Sequence, residues 1–309
     1  MSQANPSLPK DIFALACVGF VVALPLAIGA ACLHSVGTAP SLGRIAFDSL
    51  RDGNWEIYVM NADGSDQTRL THNPSVDEHP AWSRDGHALV FQSLREGNFE
   101  LYTLELRDGR EKRITSTLGD EQNANWSSQD KGLIFESLQG HVSLGVEVLD
   151  FTTGERSTIL PAGSYGPVFS ADDRHLCYYL SPGEQPSSQI FRRDVNGVNE
   201  VQLTFTKAGQ HNSNPTWSPD GKRIAFQSLR DGNWEIYVMN FDGSKLTRLT
   251  FNRFSDGYPT WSLDGQQIAF ESDRGGVWQI YVMKADGSQQ ARVTDDPRGA
   301  RHPRWSPKP

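Results

Sequence analysis

Acid, amide and imidazole side chains recur at fixed distances ahead of six aromatic residues. The aromatics are Trp82, Trp126, Phe169, Trp217, Trp261 and Trp305, each followed by Ser. Five residues before them stand Asp77, Glu121, Ser164, Asn212, Asp256 and Ala300; three before them stand His79, Asn123, Gly166, Asn214, Tyr258 and His302. Carboxylates and amides gathered from several segments are the oxygen donors that a hard cation such as Ca²⁺ takes. The same groups can hydrogen-bond a peptide or a sugar. Two imidazoles alone, His79 and His302, make a weak zinc site. The plainer alternative is that these side chains cap loop backbone groups and line a water-filled space. The candidate ligand-binding set is therefore Asp77, His79, Glu121, Asn123, Asn212, Asn214, Asp256, Tyr258 and His302. No catalytic residue and no metal ligand is assigned, and no cofactor is expected unless Ca²⁺ occupies the space between them.

The spacing of the aromatics identifies the elements that must position these groups. Arg44–Thr71 returns at Arg223–Thr250 over 28 positions without a gap, differing only at Asp48/Gln227, Ala62/Phe241, Asp66/Lys245 and Gln67/Leu246. Looser copies begin at His87, Lys131, Arg174 and Gln266, and successive aromatics lie 43 or 44 residues apart except for one interval of 48. A period of about 40–45 residues with several short strands per unit is the mark of a propeller blade. In the fifth unit the strands read as Thr216–Ser218, Arg223–Ser228, Trp234–Asn240 and Lys245–Thr250, separated by the Asp-Gly steps at Asp220, Asp231 and Asp242. Gly accepts the positive φ of such turns without steric cost. Helix is a poor competitor, because Gly and Pro interrupt every window of about a dozen residues. The expected fold is all-β: a six-bladed propeller of four-stranded antiparallel blades over residues 44–306, preceded by one hydrophobic helix.

The phase of the repeat predicts how the ring closes. The first copy lacks a leading Trp-Ser strand and the last is followed by a spare one, Pro303–Ser306. The spare strand can complete the first blade and remove an exposed sheet edge. His79 and His302 then lie on adjacent blades. The candidate residues should form two tiers around the mouth of the central channel. As loop carboxylates, Asp77, Glu121 and Asp256 should face one cavity and add little to packing.

Net charge is −8 over 309 residues, with Lys and Arg scattered among Asp and Glu, so the basic stripe of a nucleic-acid binder is missing. Three cysteines, Cys17, Cys32 and Cys177, supply neither a disulfide framework nor a zinc spacing. Residues 1–11 read as a cytoplasmic stub and 34–43 as a linker. Between them, Ile12–Leu33 is 22 residues without a charge, long enough to span a bilayer as a helix. Three readings stay open: an uncleaved anchor with Lys10 left in the cytoplasm, a signal peptide interrupted at Pro25 and cleaved near Gly29-Ala30-Ala31, or a lipoprotein using Cys32. All three place the propeller outside the cytoplasm, in the periplasm, at the cell surface or secreted.

The strings IYVMNADGS, RLT and PTWSPDG resemble the repeats of TolB-type, or WD40-like, propellers across about residues 44–306. The third and fourth blades depart most, at Gly140–Val148 and around Ser181–Phe191. About ten linker residues stand where TolB carries an α/β domain, so membership of the Tol system does not follow from the resemblance. Related peptidases fuse this propeller to a hydrolase domain, but no G-x-S-x-G elbow occurs here. What the resemblance and the residues imply together is a monomeric, non-catalytic scaffold. It would bind an envelope protein, peptide or glycan and be attached to the membrane through the N-terminal segment. The alternative is a lactonase- or lyase-like enzyme using a divalent cation in the channel.

Overall fold

A computed structural model describes residues 43–127, 130–181 and 187–307. The expected helix over residues 12–33 lies outside them. The described residues form six four-stranded antiparallel sheets. Blade 1 joins the two ends of the repeat array: Ala300–Trp305, Arg44–Ser49, Glu56–Asn61 and Thr68–Arg69, in that order. Ile45 pairs with Trp305 and Ser49 with Ala300, so the last strand closes the ring as its phase predicts. The other inner strands are Asp77–Trp82, Asp120–Trp126, Ser164–Phe169, Asn212–Trp217 and Asp256–Trp261, opening blades 2 to 6.

Each blade is packed on both faces, because the third strand alternates between its two neighbours. In blade 1, Ile57 and Val59 pack with Leu89, Phe91 and Tyr102 of blade 2. Tyr58 and Met60 face the other way, onto Ala269, Ile280 and Val282 of blade 6. Ile57 and Phe47 are fully buried, and each such side chain contributes roughly 1.5–3 kcal/mol. The turns interlock as well. Gly64 has φ +87°, and a Cβ placed there would sit 2.2 Å from the carbonyl oxygen of Val293 in blade 6. The Asp-Gly turn between the third and outer strands is thus a point where one blade's backbone presses on another's.

Two kinds of strand differ from the sequence expectation by more than one residue, each for a local reason. The outer strands are short; Thr247–Arg248 stands where Lys245–Thr250 was expected. The ladder is finished there by a side chain, since Thr250 Oγ1 accepts the Ile236 N–H at 2.9 Å. Thr71, Thr115, Thr204 and Thr294 do the same in four other blades. The inner strands instead start earlier than expected, at Asn212 rather than Thr216 in blade 5, because pairing resumes on the far side of a bulge.

Candidate functional site

Every inner strand carries a β-bulge at one place. The register shifts between Glu78 and Ala81, Gln122 and Asn125, Tyr165 and Val168, Ser213 and Thr216, and Gly257 and Thr260; blade 1 shifts opposite Arg301–Arg304. In each bulge the residue three before the aromatic adopts left-handed φ: His79 +56°, Asn123 +51°, Gly166 +58°, Asn214 +51°, Tyr258 +49° and His302 +49°. For a side chain as large as His or Tyr that conformation is costly and must be held by its surroundings. The six residues form one tier at the channel axis. The rings of His79 and His302 stack at 3.7 Å, Tyr258 meets His302 at 4.4 Å, and Asn123, Gly166, Asn214 and Tyr258 line a common cavity.

A bulge takes the backbone N–H of its extra residue out of the ladder, and a buried N–H needs a partner. The partner comes from the second strand of the preceding blade. The N–H of His79 donates to Asp48 at 3.2 Å, Asn123 to Gln92 at 3.0 Å, Gly166 to Glu136 at 2.6 Å, Tyr258 to Gln227 at 2.9 Å and His302 to Glu271 at 3.0 Å. Tyr179 stands at this position in blade 4. Sequence reasoning missed this column. Its signal was present: an acid or amide inside the apolar strand RIAF(D/Q)S, at one of the four places where the two near-identical copies differ.

The residues five before the aromatic do a different job. They are strand residues, not loop residues; Asp77, Glu121 and Asp256 are bound within their own blades and the connections leading into them, while Asn212 also donates to Ser188 and Gln189 of blade 4. Asp256 takes two hydrogen bonds of 2.9 Å from Arg274, Asp77 is paired with Arg95 at 2.8 Å, and Asn212 accepts from Arg230 at 2.9 Å. These arginines lie over the Tyr281, Tyr102 and Tyr237 rings at 4.5 to 4.6 Å. Blade 3 has no arginine in that turn, and Glu121 pairs instead with Arg156 of its outer strand at 2.8 Å. In blade 1, where Ala300 offers nothing, Arg51 turns to Asp296. Asp77, Asn212 and Asp256 are fully buried and Glu121 nearly so. Where loop carboxylates were expected, the structure has strand residues within the packing, with Asp77, Glu121 and Asp256 each paired with an arginine.

The channel tier is unevenly charged. The His302 ring nitrogen Nδ1 lies 2.8 Å from Asp48 Oδ1. Burial pushes the Asp48 carboxyl up to about 8 and the His302 imidazole down to about 4, so near neutral pH the pair shares one proton. Burial, then the neighbouring His302, also holds His79 well below its usual value, and its Nδ1 has no hydrogen-bond partner among the described residues. Burial raises Glu136 to about 7. Arg301 is paired with Glu271 at 2.8 Å. At the opposite end, Arg84 of blade 2 donates to the Ala171 and Ser170 carbonyls of blade 4 and pairs with Asp173, which ties those turns together. Among the described residues no three His, Cys, Asp or Glu side chains are gathered as a metal site would have them.

Comparison with known proteins bears on the frame around this tier. Over 47 residues the chain is 49% identical to the Tol-Pal system protein TolB of Desulfosudis oleivorans, a match covering 15% of this chain and 11% of that protein. The crystal structure of TolB from Acinetobacter baumannii superposes with a TM-score of 0.75 at 20% identity, over 87% of this chain and 68% of that one. An oligogalacturonate lyase in complex with manganese superposes with a TM-score of 0.52 at 17% identity, over 82% of this chain and 74% of its own. At these identities the structural likeness shows the fold alone. The TolB beta propeller domain family is matched over residues 37–205 and 162–309, which together run through every blade described above, and the chain belongs to that family.

Proposed function

We propose that this propeller is a non-catalytic binding scaffold of the cell envelope, whose channel mouth takes up a protein, peptide or glycan partner. The observation that carries this reading is an apolar rim around a polar throat. Leu118, Phe205 and Phe251 are 100%, 79% and 72% exposed, and all three lie in connections from an outer strand to the next inner strand, at the mouth end of the ring. Large apolar side chains exposed around a set of donors and acceptors are what an interaction surface presents. The throat offers amides, imidazoles and a phenol from five blades. The envelope location rests on Ile12–Leu33, which would tether or export the propeller.

The test is capture from an envelope fraction by the full-length chain. Replacing Phe205 and Phe251 with Ser should reduce capture by about tenfold, on the order of 1.4 kcal/mol. Replacing Asp66, Glu105 and Glu155 with Ala, in or beside the turns that lead into the outer strands, should leave it unchanged. Equal loss from both sets would place the partner elsewhere.

The second reading, a lactonase- or lyase-like enzyme with a channel-bound divalent cation, draws on the stacked His79 and His302 beside Asp48. Metal analysis of the purified chain separates the two. A stoichiometric divalent ion would favour the enzyme, and its absence after exposure to Ca²⁺ and Mn²⁺ would remove that reading.

A further inference from the structure

One arginine in the channel has no counter-charge among the described residues. Arg301 is matched by Glu271, Arg95 by Asp77 and Arg274 by Asp256. Arg304 is on the closing strand two residues beyond His302, and no ion pair or hydrogen bond engages its guanidinium among the described residues. The one titratable group that acts on it to favour the charge is the Tyr258 phenol, while burial holds its pKa below the usual arginine value. The corresponding residues of blades 2 to 6 are Ala81, Asn125, Val168, Thr216 and Thr260, so a cation here is particular to the strand that closes the ring.

Arg304 borders a partly enclosed cavity with Asn123, Asn125, Gly166, Asn214 and Tyr258. Gly166 is the one member of the left-handed tier without a side chain; the Tyr179 ring, 2.9 Å from where its Cβ would stand, covers that place in blade 4, and the cavity runs beside it along Asn123, Asn125 and Asn214. The centre of a water-sized sphere has about 20 Å³ to move in. That is room for one or two waters or a carboxylate head, and too little for a sugar ring. The walls can donate. The Tyr258 phenol and the Asn214 amide both border the cavity and carry protons to donate. Asn125 uses one amide hydrogen on the Pro167 carbonyl at 3.0 Å and keeps a second. A half-buried guanidinium with hydroxyl and amide donors beside it is a receptor for an anion. Glu136 and Glu271 both act on Tyr258 at the edge of the cavity, and their charge disfavours a dianion such as phosphate more than a monoanion.

We propose that Arg304 and Tyr258 form a carboxylate-binding site beneath the mouth. It takes an acidic group of the partner, a chain terminus or an Asp or Glu side chain, presented on a flexible stem. The site rests on the reading of the channel as a binding site, yet its test needs no partner. Full-length chain in detergent is titrated with acetate at constant ionic strength, and binding is read as broadening of the acetate NMR line. Wild type should broaden the line. Arg304→Gln should weaken the effect at least about fivefold, and Arg304→Lys should recover part of it. Tyr258→Phe, which keeps the ring and loses one donor, should give an intermediate loss and serves if Arg304→Gln does not fold. N-acetylglycine and N-acetylaspartate amide then separate a chain terminus from a side chain by which of them displaces acetate at lower concentration. No broadening by wild type, equal broadening by wild type and both variants, or displacement of acetate by inorganic phosphate at lower concentration than by N-acetylglycine would overturn the proposal. Loss of partner capture with acetate binding intact would sink the scaffold reading and leave this site standing.

Discussion

At the scale of single residues, the repeats act as their own mutational series. Glu136 accepts the Gly166 N–H and is buried with no cation beside it, while Gln92 and Gln227 do the same work uncharged in blades 2 and 5. Its folded pKa of about 7 stands above the ordinary value of 4.5. Below pH 4.5 both folded and unfolded chains hold the proton. Between there and about 7 the unfolded chain loses it first, so the folded state binds more protons and this site's contribution to stability falls as pH rises. Glu136→Gln should therefore gain roughly 2–3 kcal/mol over wild type at pH 7.5 and little at pH 4, measured by urea unfolding across that range. A variant less stable than wild type at pH 7.5 would show that the carboxylate is favourably held. Asp256 makes the opposite case, because its charge is met by two bonds from Arg274. Asp256→Ala should cost about 2–4 kcal/mol by leaving a largely buried guanidinium without its acceptor. Asp256→Asn should cost about 1 kcal/mol or less, since Asn212 already holds Arg230 in blade 5. Thermal melts of the two variants decide it: equal effects would mean that the pairing is not what the residue supplies.

Elements in this ring are stabilised less by their own ladders than by what touches them from the next blade. The closing strand Ala300–Trp305 shows this most directly, carrying Trp305 into the core between blades 1 and 6 and His302 into the channel tier. Deleting residues 301–309 should leave Arg44–Ser49 as an open edge, with lost cooperativity in unfolding or aggregation through that edge. A truncated chain that melts like the full one would refute closure by this strand. The turns give a finer test. Gly64 and Gly97 both have positive φ, but only Gly64 faces a neighbouring carbonyl; nothing lies within 4 Å of a Cβ at Gly97. Gly97→Ala should cost about 1 kcal/mol, the backbone preference alone. Gly64→Ala should cost clearly more, because the Val293 backbone would have to move. Equal melting temperatures for the two variants would contradict the interlocking of blades 1 and 6.

For the whole molecule, ring closure completes the first blade, so that all six blades have four strands with a short outer edge, and it leaves a channel where six bulges meet. The channel differs from side to side, with imidazoles, a phenol and arginines on blades 1, 2 and 6 and amides and a glycine on blades 3 to 5. A partner entering it meets one side of a near-symmetric ring. The location of the ring in the cell is a matter for the chain ahead of it. A reporter fused after Pro309 should be active outside the cytoplasm and silent within it. A cytoplasmic signal would overturn both the envelope reading and the role proposed from it.

Blade number, strand order and closure were legible in the sequence, because each follows from something periodic: aromatic-Ser segments, Asp-Gly turns and the phase of a repeat whose ends are complementary. The same periodicity placed the tier of His79, Asn123, Asn214, Tyr258 and His302, since equivalent positions in a ring converge on its axis. Periodicity could not say which way Asp77, Glu121, Asn212 and Asp256 turn. A bulge intervenes between them and the tier, and a one-residue shift of register changes the face a side chain takes. Their arginine partners lie 18 residues away in three blades and 35 in the other. The acceptors Asp48, Gln92, Glu136, Gln227 and Glu271 serve a backbone N–H of the next blade, about 30 residues on. That need exists only once the bulge has formed and water has been excluded. Tertiary structure alone decided those pairings, and with them which polar groups support the ring and which are left free to meet a ligand.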